Sequence, residues 1–131
     1  MVRYFEIPYK HNGKSFTGAD CWGFVVLYFE NTLGTQLRDY KDIIPPAYAD
    51  VRNSDIFLDN AETEFEKVET LRENDCILLN VDSKTPNHVA IYIGNGKIIH
   101  MIHPAGVVVS RLAEWQSKVH GYYRYRGVNA S

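Results

Sequence analysis

The stretch Asp20-Cys21-Trp22-Gly23-Phe24-Val25-Val26-Leu27-Tyr28-Phe29 constrains this chain more than any other, because an acidic residue gives way at once to a long apolar run with a thiol at its head. An apolar run of this kind fits a buried helix or a core strand by periodicity alone, so length and punctuation arbitrate. Asp20 is a good N-cap, and Gly34 is a good stop after the last apolar residue, Leu33. The interval holds about three to four helical turns, roughly 20 Å at 1.5 Å per residue, which predicts one central helix. Cys21 would then sit among unpaired backbone N–H groups at the positive end of the helix dipole, where thiolate is favoured over thiol. That makes it a candidate nucleophile. A small buried hydrophobe is the alternative for any free cysteine, and Cys76, inside the strand-like Cys76-Ile77-Leu78-Leu79, fits it better.

A chain of 131 residues, 45% of them hydrophobic, has room for a single domain, 1–131, with one core. The formal net charge of −2, without runs of Lys or Arg, argues against a nucleic-acid or anionic-membrane surface. Two cysteines in unlike contexts form neither a disulfide framework nor a Cys-x-x-Cys site. The opening residues lack a signal-peptide pattern and no apolar run reaches membrane-spanning length, so a product made in the cytoplasm is expected.

Residues 1–17 show little periodicity, and Tyr9-Lys10-His11-Asn12-Gly13 with Gly18 predicts a loop ahead of the helix. Pro45-Pro46 enforces an extended or turn segment, and a second helix is expected from Ala47 to Leu58, with a short continuation through Ala61–Phe65. Glu62, Glu64, Glu66 and Lys67 make a solvated face. From Phe65 onward the pattern is strand-like: Phe65–Glu69, Cys76–Val81, His88–Ile93, Lys97–Ile102, Val107–Val109 and Tyr122–Tyr125, with a short helical piece around Arg111 to Lys118. A helix-rich front and a meander of about five strands predict an α+β domain, its antiparallel sheet packed on the central helix.

His88 and His100 lie on the two arms of the hairpin around Gly94-Asn95-Gly96. A two-residue Asn95-Gly96 turn would set His88 opposite His103 and turn His100 to the other side. A three-residue loop would pair residue 93 with 97 and residue 90 with 100, placing both histidines on one face as diagonal neighbours. With Gly96 suited to the left-handed closing position, the second register is expected, on a sheet face packed against the Cys21 helix. Nucleophile, base and base-orienter is then the generalised triad. A zinc site from Cys21, His88 and His100 would lack a clear fourth ligand.

Gly18-Ala19-Asp20-Cys21-Trp22-Gly23-Phe24-Val25, followed by His88-Val89-Ala90-Ile91-Tyr92-Ile93-Gly94-Asn95-Gly96-Lys97-Ile98-Ile99-His100, resembles the NlpC-type cell-wall cysteine peptidases, a papain-like group. The resemblance spans nearly the whole chain and implies a papain-like fold and a thiol protease needing no cofactor. It assigns Cys21 as nucleophile, His88 as base and His100 as its orienter. Tyr9, twelve positions before Cys21, takes the place of a tyrosine whose hydroxyl lies near the oxyanion. Asp20 and Trp22, flanking the cysteine, join the expected oxyanion and substrate-binding group. Trp22 stands where the family commonly has serine, a variant similar to the phage-tail members. The usual glycine pair after the tyrosine is reduced to Gly13, and the usual Pro-Gly-Asp is Glu73-Asn74-Asp75. The implied substrate is a peptidoglycan stem peptide, at a D-glutamyl–diaminopimelate type bond, with phage tail proteins as partners and the virion tail as destination. The rivals are a tail or assembly protein that keeps the fold with little chemistry, and an effector amidase acting on a non-peptidoglycan amide.

Overall fold

Asp20 does what its position predicts. Its backbone is extended (φ −92°, ψ −171°), its carboxylate accepts the Gly23 N–H at 2.7 Å, and helix α1 (Cys21–Thr32) starts on the next residue. The side chains from Cys21 to Phe29 are buried without a break, so this part of α1 is enclosed all round, as its lack of an amphipathic pattern requires, and only the last turn, Glu30 to Thr32, is exposed. The helix stops at Leu33; Gly34 takes a left-handed φ of +65° and the Thr35 N–H returns to the Phe29 carbonyl.

The computed structural model describes residues 3–11, 13–37, 64–84 and 86–129. The helix expected from Ala47 and its continuation to residue 63 lie outside them. A small hairpin, β1 (Lys14–Ser15) with β2 (Gly18–Ala19), occupies part of the segment expected to be loop. Then follow β3 (Phe65–Val68), β4 (Cys76–Leu79), β5 (His88–Gly94), β6 (Lys97–Ile102), β7 (Gly106–Arg111) and β8 (Val119–Tyr125), with two 3-10 turns, Leu112–Glu114 and Gln116–Lys118, between the last two. They form one antiparallel sheet of six strands rather than about five, ordered β3-β8-β4-β5-β6-β7. Strands β4 to β7 are the expected meander. β8 instead crosses back and enters between β3 and β4, where the buried Asp75 carboxylate receives the Arg124 guanidinium at 2.7 and 2.9 Å.

The core divides on the two faces of this sheet. Val89, Ile91, Ile99, Met101, Cys76, Leu78, Phe65 and Tyr123 face α1 and bury Phe24, Val25 and Phe29 completely. At about 25 cal/mol per Å² of apolar surface, each such phenylalanine contributes about 2–3 kcal/mol by burial. Ile77, Leu79, Ala90 and Ile98 point the other way, under Leu112, Trp115, Val119 and Tyr122.

Candidate active site

The hairpin that carries the histidines closes differently from the expected three-residue loop and arrives at the expected register. Gly94 pairs with Lys97 across a two-residue turn, with Asn95 and Gly96 at φ +54° and +73° as a primed hairpin turn demands. A bulge between Tyr92 and Gly94 then adds one residue, so Tyr92 pairs with Ile98 and Ile91 with Ile99. The inserted residue cancels the side flip that a two-residue turn would have caused. His88 and His100 accordingly share a face, with His88 Nε2 2.8 Å from His100 Nδ1.

That face is not the one packed on α1. By strand alternation the histidines lie on the side of Ala90 and Ile98, whereas the side of Val89, Ile91, Ile99 and Met101 meets the helix. The helix takes the uniformly apolar face because imidazoles there would displace core contacts. Cys21 and His88 instead line one cleft at the rim of the sheet, where β5 begins. The Asn87 carbonyl lies 4.0 Å from Cys21 Sγ. Asn87, 1% exposed, is itself clamped: its side-chain amide accepts from Val81 N at 2.8 Å and donates to the Val81 carbonyl at 2.9 Å. A cleft of about 230 Å³ opens across this rim and is lined by Tyr9, Cys21, Val81, Asp82, His88, Met101, Ile102, His103 and Trp115.

The segment carrying Tyr9 is laid against the helix mouth by backbone contacts. Lys10 N donates to the Ala19 carbonyl and Asp20 N to the Gly13 carbonyl, at 3.0 and 3.1 Å. Gly23, in the first turn of α1, permits this approach: a Cβ there would collide with the Gly13 carbonyl oxygen. The Tyr9 ring stands edge-on to His103, centroids 4.5 Å apart, on the wall of the cleft. The structure thus brings Tyr9, Cys21, His88 and His100 to one place. Trp22 is buried against Phe65 at 6.2 Å rather than lining the cleft, because one helical step carries it about 100° round from Cys21. The Asp20 carboxylate caps the helix, accepting the Gly23 N–H.

Burial sets the protonation states. The Cys21 thiol is pushed up from its ordinary range, first by desolvation and then by the Asp20 charge; contacts from the backbone of Val89, Trp22 and Cys21 pull the other way and do not prevail. The thiolate expected from the helix dipole is therefore not the resting form, since loss of water outweighs a dipole worth about 0.3–1 kcal/mol. His88 is lowered to about 3 by burial and by His100, and His100 to about 4 by burial. The resting pair is neutral thiol and neutral imidazole.

Sequence reasoning missed Ser110, Trp115 and Asn87. Ser110 Oγ lies 2.9 Å from His100 Nε2, and Trp115 packs over both imidazoles, stacked on His88 at 6.1 Å and edge-on to His100 at 4.9 Å. Extending the parity argument from His100 across to β7 would have found Ser110. Nothing local marks Trp115, which reaches the site from a 3-10 connection. No group of three or more His, Cys, Asp or Glu side chains among the described residues has the geometry of a metal site.

Comparison with known proteins places this architecture. The tail tip assembly protein K of Escherichia phage N15 is 28% identical over 132 residues, covering 96% of this chain and 53% of that protein. The gamma-DL-glutamyl hydrolase of Bacillus subtilis (strain 168) is 31% identical over 123 residues, covering 91% and 25%. The chain thus spans about half the length of the first relative and a quarter of the second. Among solved structures, the NlpC/p60 domain of the peptidoglycan hydrolase SagA superposes with a TM-score of 0.59 at 19% identity, covering 92% of this chain and 88% of that one. NlpC1 from Trichomonas vaginalis gives 0.68 at 17%, covering 93% and 40%. The sequence model of the NlpC/P60 family itself matches residues 6–124, from just ahead of Tyr9 to the end of the sheet, and the chain belongs to that family.

Proposed function

We propose that this protein is a cysteine endopeptidase of peptidoglycan stem peptides, cleaving a D-glutamyl–diaminopimelate type amide, and that it works at a phage tail tip. The observation that carries the reading is Cys21 and His88 facing one cleft, with His88 already bonded to His100. A neutral pair suits amide cleavage in which the proton moves with the attack. The Cys21 sulfur adds to the amide carbonyl as its proton passes to His88, whose Nε2 is engaged by His100 and whose Nδ1 is the nitrogen left for the thiol. The Cys21 backbone N–H and the Tyr9 hydroxyl receive the developing oxyanion. The C–N bond then breaks, His88 returns the proton to the leaving amine, and water activated by His88 releases the acyl group. His100 is a positioning residue that fixes the His88 ring. No metal or organic cofactor enters this scheme.

The substrate class rests on relatives named as a gamma-DL-glutamyl hydrolase and as a murein DD-endopeptidase/LD-carboxypeptidase of Escherichia coli (strain K12), and the tail role on the K proteins of phages N15 and lambda. Those K proteins also favour a second reading, an assembly component that keeps the fold with little turnover. Incubation of the purified protein with sacculi decides between them. Release of peptides by the wild type and not by Cys21→Ala supports the peptidase; no release from sacculi of several wall chemistries supports the assembly role. Cleavage of a non-peptidoglycan amide alone would overturn both in favour of an effector amidase.

A further inference from the structure

The polar file on the hairpin does not end at His100. His100 pairs with Val108 of β7, which makes Ser110, two residues on, its diagonal neighbour on the same face, with Oγ 2.9 Å from Nε2. We propose that Ser110 is a positioning residue which, by accepting a hydrogen bond from His100 Nε2, holds both imidazoles in the tautomers that leave His88 Nδ1 free to take the Cys21 proton. The inference rests on the reading of Cys21 and His88 given above.

Each neutral imidazole carries one N–H, and burial keeps both rings neutral. The two ring contacts, His88 Nε2 to His100 Nδ1 and His100 Nε2 to Ser110 Oγ, therefore admit two arrangements. If Ser110 accepts, His100 is protonated on Nε2 and its Nδ1 accepts from His88 Nε2, so His88 Nδ1 is bare and can act as a base. If Ser110 donates, every bond in the file reverses and His88 Nδ1 carries a hydrogen, which disables it as a base toward a neutral thiol. Trp115 covers both rings and His100 is fully buried, so the hydroxyl stands where water would otherwise bond Nε2. Ser110 itself is half-buried, and its own hydrogen can turn toward solvent while its lone pair faces the ring. Removing the hydroxyl strands an N–H in the productive arrangement but only a lone pair in the unproductive one. The loss therefore weighs against the productive tautomer.

The test reads the tautomers directly, with two-bond ¹⁵N–¹H correlations of the histidine side chains in the full chain at neutral pH, and needs no substrate. The expected result is Nε2–H on both His88 and His100 in the wild type, a shift of His100 toward Nδ1–H in Ser110→Ala, and recovery of the wild-type pattern in Ser110→Thr, which restores the hydroxyl. On sacculi, Ser110→Ala should lower kcat about tenfold with KM unchanged, and Ser110→Thr should stay within about threefold of wild type. His100 protonated on Nδ1 in the wild type, or Ser110→Ala with an unchanged tautomer, overturns the proposal. A wild type with the stated tautomers that releases nothing from sacculi overturns the peptidase reading and leaves the Ser110 assignment standing.

Discussion

Val89, Ile91, Ile99 and Met101 on one face of the β5–β6 hairpin, and His88, Ala90, Ile98 and His100 on the other, are interleaved residue by residue along the same two strands. The first set is at most 5% exposed and every member packs toward α1. The second is also buried, at most 8% exposed, yet half of it is polar, and its polar half is bonded side to side and roofed by Trp115. One face stabilises by removing carbon from water. The other uses a dry environment to keep two bases neutral and aligned. Burial by itself does not distinguish them; what each buried atom is bonded to does.

Substitutions on the two faces should separate cleanly into chemistry and stability. The largest effect is expected from Cys21→Ala and His88→Ala, which remove the proposed nucleophile and the proposed proton carrier: peptide release from sacculi should fall by more than a thousandfold, about 4 kcal/mol or more at 1.36 kcal/mol per decade. Full activity in His88→Ala would break the assignment of that face to chemistry. His100→Ala should lose on the order of ten to a thousandfold, with His100→Asn and His100→Gln retaining more because they can still accept the His88 hydrogen. On the opposite face, Ile91→Ala should cost about 3 kcal/mol of folding stability, roughly 150-fold in the equilibrium, as read by denaturant titration, while turnover per folded molecule stays near wild type.

The acid limb of stability sharpens the same contrast. His88 and His100 lie below their ordinary value when folded, at about 3 and about 4 against 6.5, so the unfolded chain binds protons more readily. Their contribution is complete above about pH 6.5 and is lost as pH falls through the window between 6.5 and those folded values. At pH 5 the loss is about 2 kcal/mol per histidine at 1.36 kcal/mol per pH unit. Replacing both with uncharged amides, His88→Gln with His100→Asn, should flatten the limb, and an unchanged limb would show that other groups cause it. The smallest effect expected is in alkylation. Burial raises both thiols, so iodoacetamide should modify each slowly at neutral pH, with Cys21, which opens on the cleft, reacting about tenfold faster than the 2%-exposed Cys76. Equal rates, by mass spectrometry, would remove the distinction between the two cysteines.

The legible parts of this molecule were those decided by neighbours in sequence. The Asp20 cap, the Gly34 stop and the pairing of His88 with His100 each follow from a few adjacent residues and strict alternation. The turn itself is not legible, because a two-residue turn plus a bulge at Ile93 and a plain three-residue loop lead to the same register, and Gly94-Asn95-Gly96 suits either. The rest depends on contacts between distant segments. Which face α1 would choose, where Trp115 would lie, and that burial would overrule the helix dipole at Cys21 are outcomes of packing, which no local pattern encodes. Trp22 shows the limit of reading by adjacency: it neighbours Cys21 in the chain and lies in the core in space.

The placement of β8 also sets an order of events in time. Among the described strands β3 is hydrogen-bonded in the sheet to β8, and Phe65 meets Tyr125 across about 60 residues of chain. The β4–β7 meander can assemble by short, fast hairpin closures, whereas β3 must wait for the last strand to be made. During synthesis the edge of β4 destined for β8 stays open until that strand arrives, and an open edge invites pairing with another chain. The Arg124 guanidinium, meeting Asp75 next to that edge, supplies a charge-specific latch for the late strand. Docking of β8 therefore comes late in the assembly of the described sheet, and the β4 edge is most open to other nascent chains before that moment.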